Sequence, residues 1–250
     1  MTDTITGLVW QADGSGTRAA CATDSTHLTC TQAEAATYCG GLSLGGFSDW
    51  RLPAEHELHT IVDYAQYNPP ADTTAFPSTA AARYWTSSPY LLQSGDFWTI
   101  YFVDGESLPD FPANLANVRC VRGSRCYPTS RFVGPSGGGA GVVTDTLTTL
   151  TWLNTASATD MNWAAAQSYC SGLGGGYRLP TLKELESIVD LTVTPGVTIN
   201  LTAFPNAPAD IYWTSSLNAG SPGNVWVVDF NSGESTYLGE SPYYRVRCVR

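Results

Sequence analysis

His56-Glu57-Leu58-His59 sets two imidazoles around a carboxylate on a predicted helix. A zinc hydrolase needs its two histidines four residues apart, one helical turn along a single face, with the glutamate as general base. Here they stand three apart, so the segment reads as a solvated helix face. His27 stands alone, and with three histidines in all the chain has little material for imidazole catalysis. Asp104-Gly105-Glu106 and Ser232-Gly233-Glu234 offer oxygen ligands, of which calcium takes roughly six to eight. Asp-Gly and Ser-Gly at those points are explained as hairpin turns. Arg51 and Arg178 each open an Arg-Leu-Pro segment. They could fork onto a ligand carboxylate or sulfate, but their recurrence beside core residues favours a structural acid or carbonyl. No nucleophile triad, phosphate loop or catalytic carboxylate pair is apparent. The expectation is a protein that is not an enzyme, with no catalytic residues, no metal and no cofactor.

The elements that hold these groups form two similar halves. Asp3-Thr4-Ile5-Thr6-Gly7-Leu8-Val9-Trp10 aligns with Asp145-Thr146-Leu147-Thr148-Thr149-Leu150-Thr151-Trp152. Tyr38-Cys39 aligns with Tyr169-Cys170, and Arg51-Leu52-Pro53 with Arg178-Leu179-Pro180. Tyr84-Trp85-Thr86-Ser87-Ser88 aligns with Tyr212-Trp213-Thr214-Ser215-Ser216, and Val118-Arg119-Cys120-Val121-Arg122 with Val246-Arg247-Cys248-Val249-Arg250. So long a period suits two whole domains, not a solenoid. The first half carries an insertion with Cys21 and Cys30. The second is complete from about Arg131, whereas the first begins abruptly at the strand equivalent to Val142–Asp145. Residues 123–141, with Gly-Pro-Ser-Gly-Gly-Gly, read as linker and start of the second unit.

Each half reads as strand, helix, helix, then strands. Thr31 and Glu34 form a capping box, Asn162 caps the counterpart helix, and Thr181 and Glu184 box the second helix of the second half. Ala54 replaces that cap in the first half. Leu182, Leu185, Ile188 and Val189 follow helical spacing. Tyr84-Trp85 and Tyr212-Trp213 lie in segments rich in β-formers and should point their indoles inward. Phe97–Phe102 and Val225–Phe230 are strand-like, and the closing Val-Arg-Cys-Val-Arg alternates as a strand with one buried face.

Composition excludes several classes. Charged residues make 14% and aromatics 12% of the 250 residues, too few charges and too much apolar area for a disordered chain. No apolar run reaches the roughly 18 residues of a membrane helix, so no membrane insertion is expected. The net charge is −10 and Lys183 is the only lysine, so nucleic acid is a poor partner. Met1 leads into Thr2-Asp3-Thr4 without a leader pattern, and the expectation is a mature or truncated segment.

The seven cysteines form no Cys-x-x-Cys pair, which argues for dispersed disulfides in an oxidising compartment. Cys39 and Cys170 each end a predicted first helix, and Cys120 and Cys248 each lie on a last strand. Cys39–Cys120 and Cys170–Cys248 are therefore the economical bridges, with Cys21–Cys30 stapling the insertion. Cys126 is left over, as a shielded thiol or as a bridge to another chain or segment.

Thr6-Gly7-Leu8-Val9-Trp10-Gln11, Tyr38-Cys39, Asp49-Trp50-Arg51-Leu52-Pro53, Tyr84-Trp85-Thr86-Ser87-Ser88 and the closing Arg-Cys-Val-Arg resemble the Lcl C-terminal domain family of bacterial collagen-like adhesins. The resemblance implies an α+β chain of two tandem C-type lectin-like domains, each with two helices and a small, mostly antiparallel sheet. Their expected bounds are 1–122 and 142–250. It also implies a secreted or cell-surface location, adhesion and glycan recognition. Calcium-dependent lectins carry Glu-Pro-Asn or Gln-Pro-Asp with Trp-Asn-Asp, which this chain lacks. The basic surface that sulfated polymers need is also missing.

The segments 89–97 and 217–225 differ most between the halves, as loops on a shared scaffold do when they carry specificity. Tyr90, Asp96, Asn218 and Asn224 are the expected ligand contacts, for a glycan or a surface protein. Arg119, Arg122, Arg125 and Arg131 would instead mark an anionic ligand at the linker. A structural subunit of an extracellular homo-oligomer is the alternative function. A formylglycine-generating oxidase, to which the family is distantly similar, would need a reactive cysteine pair in a groove.

Overall fold

A computed structural model of the chain describes residues 1–13, 20–26, 28–123, 131–134, 141–193 and 196–250. The chain is α+β and divides into two compact units, Met1–Arg125 and Cys126–Arg250. Among the described residues no helix is long and apolar enough to cross a membrane.

The first unit runs β1 (Val9–Trp10), α1 (Gln32–Gly40), α2 (Glu55–His59), β2 (Arg83–Pro89), β3 (Phe97–Tyr101), β4 (Glu106–Asp110) and β5 (Val121–Arg122). Strands β2, β3 and β4 form an antiparallel meander. β1 pairs with β5. The second unit runs β6 (Phe132–Val133), β7 (Val142–Asp145), β8 (Thr151–Leu153), α3 (Trp163–Gly172), α4 (Leu182–Ser187), β9 (Ile211–Leu217), β10 (Asn224–Asp229) and β11 (Ser235–Gly239). β9, β10 and β11 repeat the meander, and β6, β7 and β8 make a second antiparallel sheet.

Helix starts follow the capping chemistry. Thr31 and Glu34 box α1, Asn162 Oδ1 caps α3, and Thr181 and Glu184 box α4. At α2 only half the box survives, because Ala54 has no acceptor, while Glu57 Oε2 still takes the Ala54 N–H at 2.8 Å. α1 buries Gln32, Ala35 and Cys39, and α3 buries Ala166 and Cys170. These are one stripe of mostly small residues, which lets each helix lie close beneath its disulfide. The disulfides are Cys21–Cys30, Cys39–Cys120 and Cys170–Cys248, so a bridge from the first helix to the closing Arg-Cys-Val-Arg recurs in both units, although neither Cys120 nor Cys248 lies within a strand as expected. Cys126 and His27 lie outside the described residues.

Every residue of Trp-Thr-Ser-Ser has a structural task, and the same one in each unit. Trp85 and Trp213 are fully buried, and their indole N–H groups donate at 2.7 Å to Cys30 O and Met161 O. Thr86 and Thr214 hydroxyls donate at 2.7 Å to the carbonyls of Trp98 and Trp226 across the meander. The amides of Ser87 and Ser215 donate at 2.7 Å to Pro53 O and Pro180 O. The hydroxyls of Ser88 and Ser216 accept at 3.0 Å from Glu55 N and Leu182 N, the first amides of α2 and α4. A helix start leaves such amides without intrahelical partners. The motif therefore ties the sheet to the Arg-Leu-Pro segment and caps the second helix from outside.

Three expectations change. The closing Val-Arg-Cys-Val-Arg does not alternate: Arg119 and Arg247 are buried to 1% exposure, because Val118, Cys120 and Val121 place apolar groups on both faces. α4 stops at Ser187, so Ile188 is its C-cap and Val189 instead bridges to Ile199. The His56–His59 helix is no solvated face, since Glu55, Glu57, Leu58 and His59 are all buried. Phe132 and Val133 form β6, paired to β7.

Candidate ligand-binding loops

The connections β2–β3 and β9–β10 are closed by the same rung. Tyr90 N donates to Asp96 O at 2.8 Å, and Asn218 N to Asn224 O at 2.9 Å. All four residues expected to contact ligand thus come together in pairs at the loop bases. Their side chains differ in what they offer. Tyr90 is half-buried and sets its ring edge-on to Trp98, 5.0 Å between centroids. Asp96 is buried. Asn218 is 4% exposed, and its Oδ1 takes the Gly220 N–H at 2.8 Å. Asn224 is half-buried and donates from Nδ2 to Ser221 Oγ at 2.8 Å. Asp96 and Asn218 therefore shape the loops from inside. The exposed residues are Pro89, Leu91, Leu92, Gln93, Ser94 and Gly95 in the first unit, and Leu217, Ala219, Gly220, Pro222 and Gly223 in the second.

The arginines found in sequence are mostly occupied. Arg51 forks onto Glu57 with both nitrogens at 2.6 Å, and Arg178 onto Glu184 at 2.7 Å. Burial alone would raise both carboxyls, but the arginine bonds win and hold them below the usual range. Each glutamate also accepts its N-cap amide, so Arg-Leu-Pro is locked to the start of the second helix. Arg122 forks onto Asp49, with Nε at 2.6 Å. Arg131 forks onto Asp145, with Nε at 2.8 Å, and lowers a carboxyl that burial would otherwise raise. Arg119 Nη1 donates to Gln11 O and Ala12 O at 2.8 and 2.6 Å, and Nη2 donates to Thr79 Oγ1 at 2.9 Å. Arg125 lies outside the described residues. Arg119 is interior and Arg131 is ion-paired.

Sequence reasoning missed a buried ionic cluster in the first unit. His59 Nε2 lies 2.9 Å from Glu55 Oε1, Ser107 Oγ donates to that same oxygen at 2.9 Å, and His59 Nδ1 lies 2.7 Å from Tyr64 OH. Serine touches the glutamate rather than the imidazole, so the order is not that of a catalytic triad, in which histidine must take the serine proton. The signal in sequence was Leu58, which with helical spacing carries its neighbours into the core. Among the described residues no group of three His, Cys, Asp or Glu is arranged to hold a metal ion. All six described cysteines are in disulfides.

A comparison with curated proteins finds no match. The model of the Lcl C-terminal domain family matches residues 1–122 and 141–250, two segments that each span the strand, helices, meander and disulfide described above. The chain belongs to the Lcl C-terminal domain family.

Proposed function

We propose that the chain is a non-catalytic extracellular binding protein of the adhesin type. Its two units would be C-type lectin-like, and they would meet a glycan or a surface protein through the loops that follow Thr-Ser-Ser. One observation carries this reading: the two units repeat the bonds of Trp-Thr-Ser-Ser and the Arg-Glu fork beneath the loops, while the solvent-facing loop residues differ. A scaffold held constant beneath variable loops is how binding modules change specificity. Tyr90, beside Leu91 and Leu92, offers an aromatic and apolar face for stacking on a sugar ring or a side chain. Asn224 and Ser221 offer hydroxyl and amide groups for hydrogen bonds in the second unit. The net charge of −10 favours neutral glycans or a basic protein surface over sulfated polymers. Three disulfides fit an oxidising, extracellular location.

The test exchanges residues 89–97 with 217–225 and screens parent and exchanged proteins on a glycan array and on cell surfaces. Ligand preference should follow the loops. Binding that is unchanged by the exchange would overturn the assignment.

A further inference from the structure

The two units differ between the first helix and Arg-Leu-Pro. Cys39 and Arg51 stand twelve residues apart, whereas Cys170 and Arg178 stand eight apart. The longer stretch of the first unit folds into a tight hairpin, Leu44-Gly45-Gly46-Phe47, in which Leu44 N donates to Phe47 O at 3.0 Å and Phe47 N to Leu44 O at 3.2 Å. Gly45 and Gly46 have φ of 65° and 82°, and positive values at both central residues are what a type I′ turn requires. Residues directly opposed in such a pair share a face. Leu44 and Phe47 therefore stand side by side, 42% and 48% exposed.

Three contacts fix the hairpin. Buried Trp50 donates from Nε1 to Leu44 O at 3.2 Å. Arg122 lays its guanidinium carbon 3.6 Å from the centroid of the Phe47 ring. The same guanidinium forks onto Asp49, with Nε at 2.6 Å and Nη2 at 3.1 Å. One face of the ring is thus covered by a cation at contact distance, so the exposed half of Phe47 is the opposite face and its rim. Asp49, held by that guanidinium, keeps a side chain 59% exposed. The second unit spends the matching arginine differently. Arg250 lies 4.9 Å from the ring of half-buried Tyr177 and donates to Gly175 O at 3.5 Å, and Gly176 stands where Asp49 does.

We propose that the open face of Phe47, with Leu44 and Asp49 at its side, is a stacking platform for a neutral pyranose. A pyranose has an apolar C–H face for the ring and Leu44, and hydroxyls at its rim to donate to the carboxylate oxygens of Asp49. A basic side chain suits the place less well, because Arg122 already neutralises Asp49 and would repel a second cation across the ring. An anionic sugar would meet Asp49 and a chain of net charge −10. Fixed in advance by Trp50, Arg122 and the turn, the platform loses little freedom when a ligand arrives. None of its residues belongs to the loops after Thr-Ser-Ser, so the site is independent of the proposed loop ligands.

The probes are the methyl glycosides of glucose, galactose, mannose and N-acetylglucosamine, each titrated into the full chain to about 50 mM, since ligands of so few atoms bind weakly. At least one should shift the NMR signals of the Gly45, Gly46 and Phe47 amides saturably. Phe47→Ala should weaken that glycoside by at least about tenfold, and Asp49→Asn should weaken it less. Amide signals outside the hairpin report that each variant is folded. Exchange of residues 89–97 with 217–225 should leave this binding unchanged, which separates it from recognition by the loops. Shifts with none of the four glycosides overturn the proposal, as do shifts that Phe47→Ala retains. Saturation of the same amides by the basic tripeptide Lys-Leu-Lys, with no response to the glycosides, would put a protein segment on the ring and overturn the saccharide.

Discussion

Arg247 lies over the ring of Phe204, its guanidinium carbon 4.7 Å from the ring centroid, as Arg119 lies over Phe76 at 4.9 Å. The two buried arginines are built alike but satisfied unequally. Arg119 donates to Thr79 Oγ1, whereas Ala207 stands at the matching position of the second unit. Nε and Nη2 of Arg247 have no hydrogen-bond acceptor in place. Pro208 lacks the N–H that Ala80 donates to Tyr84, so the Tyr212 hydroxyl donates to the Pro208 carbonyl at 3.1 Å, and its oxygen stands beside the Arg247 guanidinium. Burial accordingly pushes Arg247 below the usual arginine range, with Tyr212 opposing.

Ala207→Thr should therefore stabilise the second unit. It offers one acceptor to a buried cation, a gain of about 1 kcal/mol, and Thr79→Ala should cost the first unit about 1–3 kcal/mol. Hydrogen exchange of the amides around Arg119 and Arg247, followed unit by unit, would read both changes. Faster exchange in Ala207→Thr would show that the hydroxyl does not reach the guanidinium.

Trp85→Ala and Trp213→Ala should each cost about 3–5 kcal/mol by cavity formation. Each also strips a partner from a buried carbonyl, Cys30 O or Met161 O. Urea denaturation of both variants is the measurement, and a midpoint equal to the parent's in either would place that indole at the surface.

Much of this architecture was legible in the residues. Capping boxes at Thr31 and Thr181 are local chemistry, and local chemistry survives folding. The disulfides could be read because the same cysteines, at the end of the first helix and in the closing Arg-Cys-Val-Arg, recur in both halves. Arg119 and Arg247 could not, because their partners are carbonyls more than a hundred and about ninety residues away, which no periodicity encodes. The inward turn of Asn218 was hidden for a related reason: in short loops a polar side chain often satisfies its own backbone rather than facing water, as Asn218 Oδ1 does with Gly220 N.

Glu34 gives a test in acid. The Thr31 backbone N–H, with Thr23, lowers its carboxyl from 4.5 to about 2. A depressed carboxyl stabilises the folded state above its unfolded value near 4.5, and that contribution is lost as pH falls toward about 2. Carboxyl-carbon NMR titration should find the midpoint near 2, and Glu34→Gln should differ from the parent at neutral pH but converge with it in strong acid. A midpoint near 4.5 would show that the cap is not formed in solution.

The Glu55–His59 pair makes the last prediction. Burial would raise the Glu55 carboxyl, but the His59 charge and hydrogen bond, with His56 and Ser107, bring it below its usual range. Tyr64 donates its proton to Gly105 O at 3.2 Å, so its oxygen is left to accept from His59 Nδ1. Both ring nitrogens then face acceptors, which fits an imidazolium paired with a buried carboxylate. His59→Ala strands that carboxylate and should cost about 3–5 kcal/mol at neutral pH. The penalty should shrink as pH falls, because a protonated Glu55 needs no counter-charge. The second unit solves the same positions with buried Leu182 and partly exposed Glu186. Glu55→Leu combined with His59→Glu copies that solution, and the double variant should be more stable than the sum of the single losses predicts, by about 1–3 kcal/mol. Urea denaturation of the four proteins closes the cycle, and strictly additive losses would mean that Glu55 and His59 do not interact.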